Sequence, residues 1–311
     1  MPKNSGFQRM FAPDCLTLGV TFPIEAYKGS IPSMTRQTEL AQRAEKLGFA
    51  ALWFRDVPLY DPSFGDVGQI YDPWVYLGFI AAQTNAIALA TGSIILPLRH
   101  PLHIAKAAAS VDQLSGGRLV LGIATGDRPV EFPAFGVDFE TRGERFRETL
   151  AYFQQALAEE FPVIRSPLGK LEGGDLIPKP TNGAIPVLVT GHSQQSLEWI
   201  AAHADGWLYY PRHPQMQQHY VRQWQELTAE HAPGVFKPFA QSLYVDLAED
   251  PDSPVMPIHL GYRLGRNRLI DLLQALEVMG VNHVVFNLKY GQRPASEVLE
   301  EIGQAVLPHY H

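Results

Sequence analysis

The chain has 311 residues, 46% of them hydrophobic, and a formal net charge of -7. That length suits one large α/β barrel or two medium domains, and the charge supplies no electrostatic footprint for nucleic acid or an anionic membrane. The single cysteine, Cys15, excludes an internal disulfide and a cysteine-based zinc site.

Residues 1–14 contain Lys3 and Arg9 but no apolar stretch of signal-peptide length, and they read as an N-terminal extension. A first strand is expected over 16–22, closed by Pro23. A helix over 34–47 has Leu40, Ala44 and Leu47 at helical spacing and Gly48 as its cap. The second strand, 49–54, runs out at Arg55-Asp56-Val57-Pro58. The loop 59–71 is long for a simple connection, and loops of that kind are often functional. Asp72 opens a helix to about residue 83. The neighbourhood 79–98 is apolar but broken by Gln83, Thr84, Asn85, Thr91, Gly92 and Ser93, so it reads as a core helix and a core strand rather than a membrane span.

The strand 86–90, a helix opened by Pro101 and capped at Gly116-Gly117, and the strand 118–124 form one βαβ unit with parallel strands. Further helices are expected over 141–160, 197–203, 215–231, 267–279 and 296–306. The remaining strands are expected over 185–190, 205–210, 238–247 and 281–287. Eight strand–helix units without a linker favour a single-domain (β/α)8 TIM barrel over residues 1–311. A dinucleotide-binding sheet would need a Gly-rich fingerprint after the first strand, which Phe22-Pro23 does not supply.

In such a barrel the site lies at the C-terminal ends of the strands. Residues expected there include Thr21, Asp56, Ser93, Thr125, Gly126, Thr190, Tyr209, Asp246 and Asn287. Within Thr190-Gly-His-Ser-Gln-Gln-Ser196, Gly191, Ser193 and Ser196 sit at a strand-to-helix turn, where backbone N–H groups and the helix dipole suit an anion. Plain N-capping by Ser193 or Ser196 is the alternative reading. No histidine pair has metalloprotease spacing, and no metal constellation stands out. Asp127 with Glu131, and Arg142 with Arg145, form either a charged cavity rim or solvated loop and helix charge. Aromatic residues in the loops, among them Phe64, Phe132, Tyr209 and Tyr210, suit a flat ligand in an apolar mouth.

Several ordered fragments carry a family likeness: Ala44-Glu-Lys-Leu-Gly-Phe with Leu52-Trp-Phe, Ile94-Ile-Leu-Pro-Leu-Arg-His-Pro, Asp112-Gln-Leu-Ser-Gly-Gly-Arg-Leu, Gly122-Ile-Ala-Thr-Gly, Arg142-Gly-Glu-Arg-Phe, and Pro186-Val-Leu-Val-Thr-Gly with Ala204-Asp-Gly-Trp. Together they resemble the bacterial luciferase-like flavin monooxygenases from about residue 18 to 306. The resemblance implies a TIM barrel with FMN, or a deazaflavin, at the C-terminal face. It implies a phosphate site at Gly191, His192, Ser193 and Ser196, with Thr190 also cofactor-binding, and a non-prolyl cis peptide under the flavin ring around Gly92-Ser93-Ile94. It also implies Thr125-Gly126 near the ribityl chain or phosphate, and Asp56 near the ring system.

Luciferases carry two histidines just after that acidic residue. Val57 and Pro58 stand there in this chain, so light emission is not carried over. The segment between strand seven and the last helices also looks shorter than in luciferase. The chemistry implied is oxygenation of a small organic substrate with reduced FMN from a separate flavin reductase. Hydride transfer with deazaflavin and non-catalytic flavin binding are the alternatives. A cytoplasmic location and a possible homodimer complete the expectations.

Overall fold

A computed structural model describes residues 3–64 and 66–310. Its elements in chain order are α1 (Ser5–Met10), β1 (Thr17–Thr21), α2 (Gln37–Leu47), β2 (Ala51–Phe54), α3 (Pro73–Ala81), β3 (Ala88–Thr91), α4 (Pro101–Ser115), β4 (Leu119–Ala124) and α5 (Arg142–Ala158). They continue with β5 (Val187–Thr190), α6 (Leu197–His203), β6 (Gly206–Tyr209), α7 (Pro214–His231), β7 (Phe239–Leu247), α8 (Arg266–Met279), β8 (His283–Asn287) and α9 (Ala295–Glu301). Strands β1 to β8 pair in order, all parallel, and β8 returns to β1. The fold is a closed (β/α)8 barrel. Among the described residues no helix is long and apolar enough to cross a membrane.

Alternation along each strand divides the apolar residues into two cores. Leu18, Val20, Leu52, Phe54, Val284 and Phe286 face outward and pack beneath the helices. The inward set is small: Ala51, Ala88, Ala90 and Ala240, with Val120, Leu188, Leu208 and Val285. Small residues are required because Trp53 and His283 occupy the interior, with Trp53 Nε1 donating to His283 Nε2 at 3.0 Å. A Cβ on Gly19 would lie 2.7 Å from that same nitrogen. With Nε2 accepting, Nδ1 carries the proton and donates to Thr17 Oγ1 at 2.6 Å. Thr17 Oγ1 in turn donates to the Met10 carbonyl at 2.5 Å. Burial pushes the His283 imidazole down to about 3, so it stays neutral at physiological pH.

The segment expected as an N-terminal extension contributes the floor of the barrel. Asn4 caps α1 by accepting from Phe7 N–H at 3.0 Å and donates to the Leu119 carbonyl at 2.7 Å. Phe7, Met10 and Phe11 then join the inner core. Met1 and Pro2, the start of that expected extension, lie outside the described residues.

Two hairpins escaped the sequence reading, Ile164–Ser166 with Gly169–Leu171 and Met256–Ile258 with Gly261–Leu264. The second extends the sheet beside β7, and Pro257 inside its first strand hides the strand signal. Met10→Ala should cost about 2–4 kcal/mol by opening a cavity in the inner core. Thermal unfolding checks this, and an unchanged midpoint would mean that α1 does not close the barrel.

Candidate functional site

The C-terminal ends of the strands surround a cavity of about 780 Å³. Asp56, Gly92, Ser93, Thr125 and Gly126 line it, as do Thr190, Gly191, His192 and Ser193. Ser196 does not. It is exposed, and its hydroxyl accepts from Trp199 N–H at 3.2 Å as the cap of α6, so the capping reading holds at that position. Asp246 also lies outside the lining. Strand β7 runs past its last β8 partner, Tyr244, so Asp246 reaches the hairpin and pairs with Arg263 at 2.6 Å.

The turn after β5 is shaped by positive φ angles at Gly191, Ser193 and Gln194. Gly191 N–H is used by the Leu208 carbonyl at 2.8 Å, and Gln195 N–H by the His192 carbonyl at 2.8 Å. The N–H groups of His192, Ser193 and Gln194 make no hydrogen bond to another described residue. Three successive donors without acceptors at a cavity wall form an anion-binding concavity. The N-terminal turn of α5 braces it: Gln195 Nε2 donates to the Gly143 carbonyl at 2.8 Å, and Arg147 Nη1 to Gln195 Oε1 at 2.9 Å. Arg142, the first residue of α5, also lines the cavity, stacked 3.6 Å above the Phe139 ring.

Across the mouth the chain has a cis peptide between Gly92 and Ser93, where the resemblance implied one. The Ser93 hydroxyl hydrogen-bonds the Thr190 hydroxyl, tying the β3 end to the β5 turn. Gly126 has φ +83°, and a Cβ there would meet Ile95 Cγ2 at 2.8 Å, so only glycine keeps this edge low. Gly122 is likewise obligatory, because its Cβ would lie 1.8 Å from the Thr91 carbonyl oxygen.

Asp56 is fully engaged. Arg99 binds it through Nη2 at 2.8 Å and Nε at 3.1 Å, and Ile95 N–H donates to it at 3.1 Å. It braces the shelf that leads into α4. Arg99 is correspondingly spent, since it also reaches Asp72 at 3.1 Å. Of the expected charged rim, Asp127 and Arg142 line the cavity, while Arg145 turns away to the Pro97 carbonyl at 2.8 Å. Glu131 is buried behind the wall. Its Oε1 accepts from Leu59 N–H at 3.4 Å, and Oε2 has no partner among the described residues. Burial pushes its carboxyl up to about 7. Among the expected aromatics, Phe64, Tyr209 and Tyr210 line the cavity, whereas Phe132 is packed against Ile95 and Leu98.

Sequence reasoning missed Arg55 and Asp66. Arg55 Nη1 meets Asp66 Oδ2 at 2.8 Å, and both residues line the cavity. Tyr27 and Gly68 donate to Asp66 Oδ1 at 2.7 and 2.8 Å, and Lys289 Nζ lies 3.5 Å from it. Burial alone would raise the Asp66 carboxyl, but Arg55 and these hydrogen bonds hold it below its usual value. The available signal was the density of Asp, Gly and aromatic residues in the long loop 59–71. Among the described residues no cluster of His, Cys, Asp and Glu could hold a metal ion.

A model of the luciferase-like monooxygenases matches residues 16–253. The chain belongs to the luciferase-like monooxygenase family. An uncharacterised protein of Mycobacterium tuberculosis is 36% identical over 160 residues, covering 49% of this chain and 56% of that protein. The match thus spans little more than half of that curated relative.

Among solved structures, an F420-dependent secondary alcohol dehydrogenase in complex with an F420–acetone adduct has a TM-score of 0.76 at 16% identity, covering 93% of this chain and 98% of that one. The oxygenating constituent of 3,6-diketocamphane monooxygenase from Pseudomonas putida, in complex with FMN, has a TM-score of 0.72 at 16% identity, covering 96% and 99%. Likeness at this identity is one of fold. Both neighbours share the barrel of the family.

The Glu131 carboxyl rises from its ordinary 4.5 to about 7 on folding, so folding takes up protons between those values. Its contribution to stability is fully present below about pH 4.5 and is lost as pH rises through about 7. Glu131→Gln should remove this slope, which amounts to on the order of 3 kcal/mol across the window. Unfolding of both proteins from pH 4 to 8 measures the difference, and parallel curves would refute the assignment.

Proposed function

We propose that the protein is an FMN-dependent monooxygenase that uses reduced FMN, delivered by a separate reductase, and oxygen to oxidise a small organic substrate. The observation that carries this reading is the turn after β5, where the N–H groups of His192, Ser193 and Gln194 remain without acceptors at the wall of a large cavity. A phosphate fits those donors. The residues suit the rest of the cofactor equally well. Gly92, Ser93, Thr125 and Gly126 leave a low shelf for a flat ring, and a Cβ at Gly126 would have no room. Thr190 and Ser93, joined through their hydroxyls, hold shelf and phosphate turn at a constant separation.

Reduced FMN, when bound, supplies the electrons with which oxygen is activated. The chain's own residues bind, orient and exclude water. His192–Gln194 and Arg142 receive the phosphate. The Asp56–Arg99 pair holds the shelf through Ile95 N–H and leaves no free carboxylate beneath the ring. Trp53, Leu208 and Val285 form a dry base to the cavity, which strengthens the electrostatic contacts above them.

Gly191→Asp should weaken FMN binding by at least about a hundredfold, since a carboxylate would face the phosphate donors. The barrel should survive, because aspartate tolerates the left-handed backbone better than most residues and the nearest side-chain atom, Tyr210 Cε2, is 3.5 Å from the new Cβ. Anaerobic titration with reduced FMN and with reduced F420, followed by absorbance, tests the reading. Binding of FMN together with substrate-dependent oxygen uptake supports it. Binding of F420 alone would replace oxygenation by hydride transfer. Unchanged FMN affinity in a folded Gly191→Asp variant would sink the phosphate assignment.

A further inference from the structure

The cofactor residues proposed above occupy the arc from β3 to β5, and the rest of the rim, from β6 round to β2, has a different chemistry. Tyr210 follows β6, Tyr244 ends the barrel part of β7, and Tyr290 follows β8. The Met256–Leu264 hairpin carries His259 to the same wall. Tyr244 and Tyr290 lie 5.0 Å apart between ring centroids, and the His259 ring is 5.9 and 6.0 Å from them. Tyr210 and Tyr290 are each 39% exposed although they line a concavity, so their faces are open to a ligand.

Next to these rings stands a concentration of positive charge. Arg55 and Lys289 both lean on the single carboxylate of Asp66, at 2.8 and 3.5 Å. Arg128 reaches the Asp66 carbonyl at 2.6 Å and the Leu59 carbonyl at 3.5 Å, and its guanidinium sits 5.0 Å from the Phe64 ring. Carbonyl contacts satisfy its donors without cancelling its charge. Arg55 and Arg128 line the cavity beside Asp66 and the exposed Asp127, while Glu131 nearby is protonated below about pH 7. A guanidinium has five donors. Arg55 commits one to Asp66 in the described contacts, and the residue lines the cavity. Planar rings beside guanidinium groups with donors beyond their described partners recognise an aromatic anion.

We propose that this second arc is the substrate subsite, and that the substrate is an aromatic compound bearing one anionic group, a carboxylate or an ionised phenol. Tyr210, Tyr244, Tyr290 and His259 receive the ring, and Arg55 receives the anion, joined by Arg128 from the turn after β4 at the border with the cofactor arc. The proposal rests on the reading that FMN fills the arc from β3 to β5, and it predicts that the two ligands bind side by side.

The test uses 2-naphthoate, its neutral carboxamide and octanoate as probes, titrated by tryptophan fluorescence into the whole protein with and without FMN. Naphthoate should bind at least about tenfold more tightly than the carboxamide and than octanoate, and saturating FMN should not displace it. Arg55→Gln should erase the preference for carboxylate over carboxamide. Should that variant fail to fold because Asp66 loses its partner, Tyr290→Ala leaves the ion pair intact and should erase the preference for naphthoate over octanoate. Equal binding of the three probes overturns the proposal, and so does competition between naphthoate and FMN, which would assign the cations to the cofactor. Naphthoate preference in a protein that binds no FMN would refute the cofactor reading alone.

Discussion

The interior of an eight-stranded barrel holds a limited volume of side chain, and in this protein one hydrogen-bonded pair stands at its centre. Trp53 and His283 meet across the lumen, and several inward positions around them, Gly19, Ala51, Ala88, Ala90 and Ala240, are small. The chain of donors from Trp53 through His283 and Thr17 to the Met10 carbonyl leaves no polar atom of that pair unsatisfied. It also links the floor built by α1 to the base of the cavity. Everything above Trp53 can therefore be open, because everything below it is filled.

That division explains how a wide cavity is held in shape. Its walls are fixed less by apolar packing than by hydrogen bonds between segments that belong to different βα units. Asp56 ties the end of β2 to the shelf after β3, Ser93 ties the shelf to the turn after β5, and Gln195 ties that turn to α5. The first two bonds are made by short side chains just past a strand end, where the barrel itself sets the position. The long loop after β2 is clamped in the same way, with Gln69 Oε1 accepting from Arg55 N–H at 2.7 Å and Asp66 gathering Tyr27, Gly68 and Arg55. A loop so anchored presents Phe64 as a fixed wall, against which Arg128 packs from the turn after β4.

The charges follow one rule throughout. Carboxylates that lie deep are answered by an arginine or by several N–H groups, as Asp56 and Asp66 are, and the burial cost is offset locally. Glu131 is the exception, and it responds by holding its proton. Donors beyond those committed in the described contacts face the cavity: backbone N–H groups on the β5 side and guanidinium groups on the β2 and β4 sides. The two poles differ in geometry, a curved row of N–H groups against flat forks beside aromatic rings, and that difference separates a phosphate from an aromatic acid.

The barrel was legible in the sequence because the strands are short apolar runs and several helices are punctuated locally, by Pro at the start of α3, α4 and α7 and by Gly at the end of α2, α4 and α8. Helix 197–203 was read to the residue, since Ser196 caps it and His203 closes it. The turn at 191–193 could be read for the same reason, because glycine and serine at a strand end have few other uses. Ser196, the next serine, could not be sorted from a ligand, since capping and anion binding demand the same hydroxyl.

Only the tertiary structure could bring Arg55, Asp66, Tyr244, His259 and Tyr290 to one wall, because they come from β7 and from loops after β2, β7 and β8 that meet through barrel closure rather than any local pattern. The same holds for α1, too short to announce itself, and for Glu131, whose polar neighbours in sequence conceal its burial. Local sequence determines strands, helices and caps through backbone geometry. The closing of the barrel determines which side chains share a cavity.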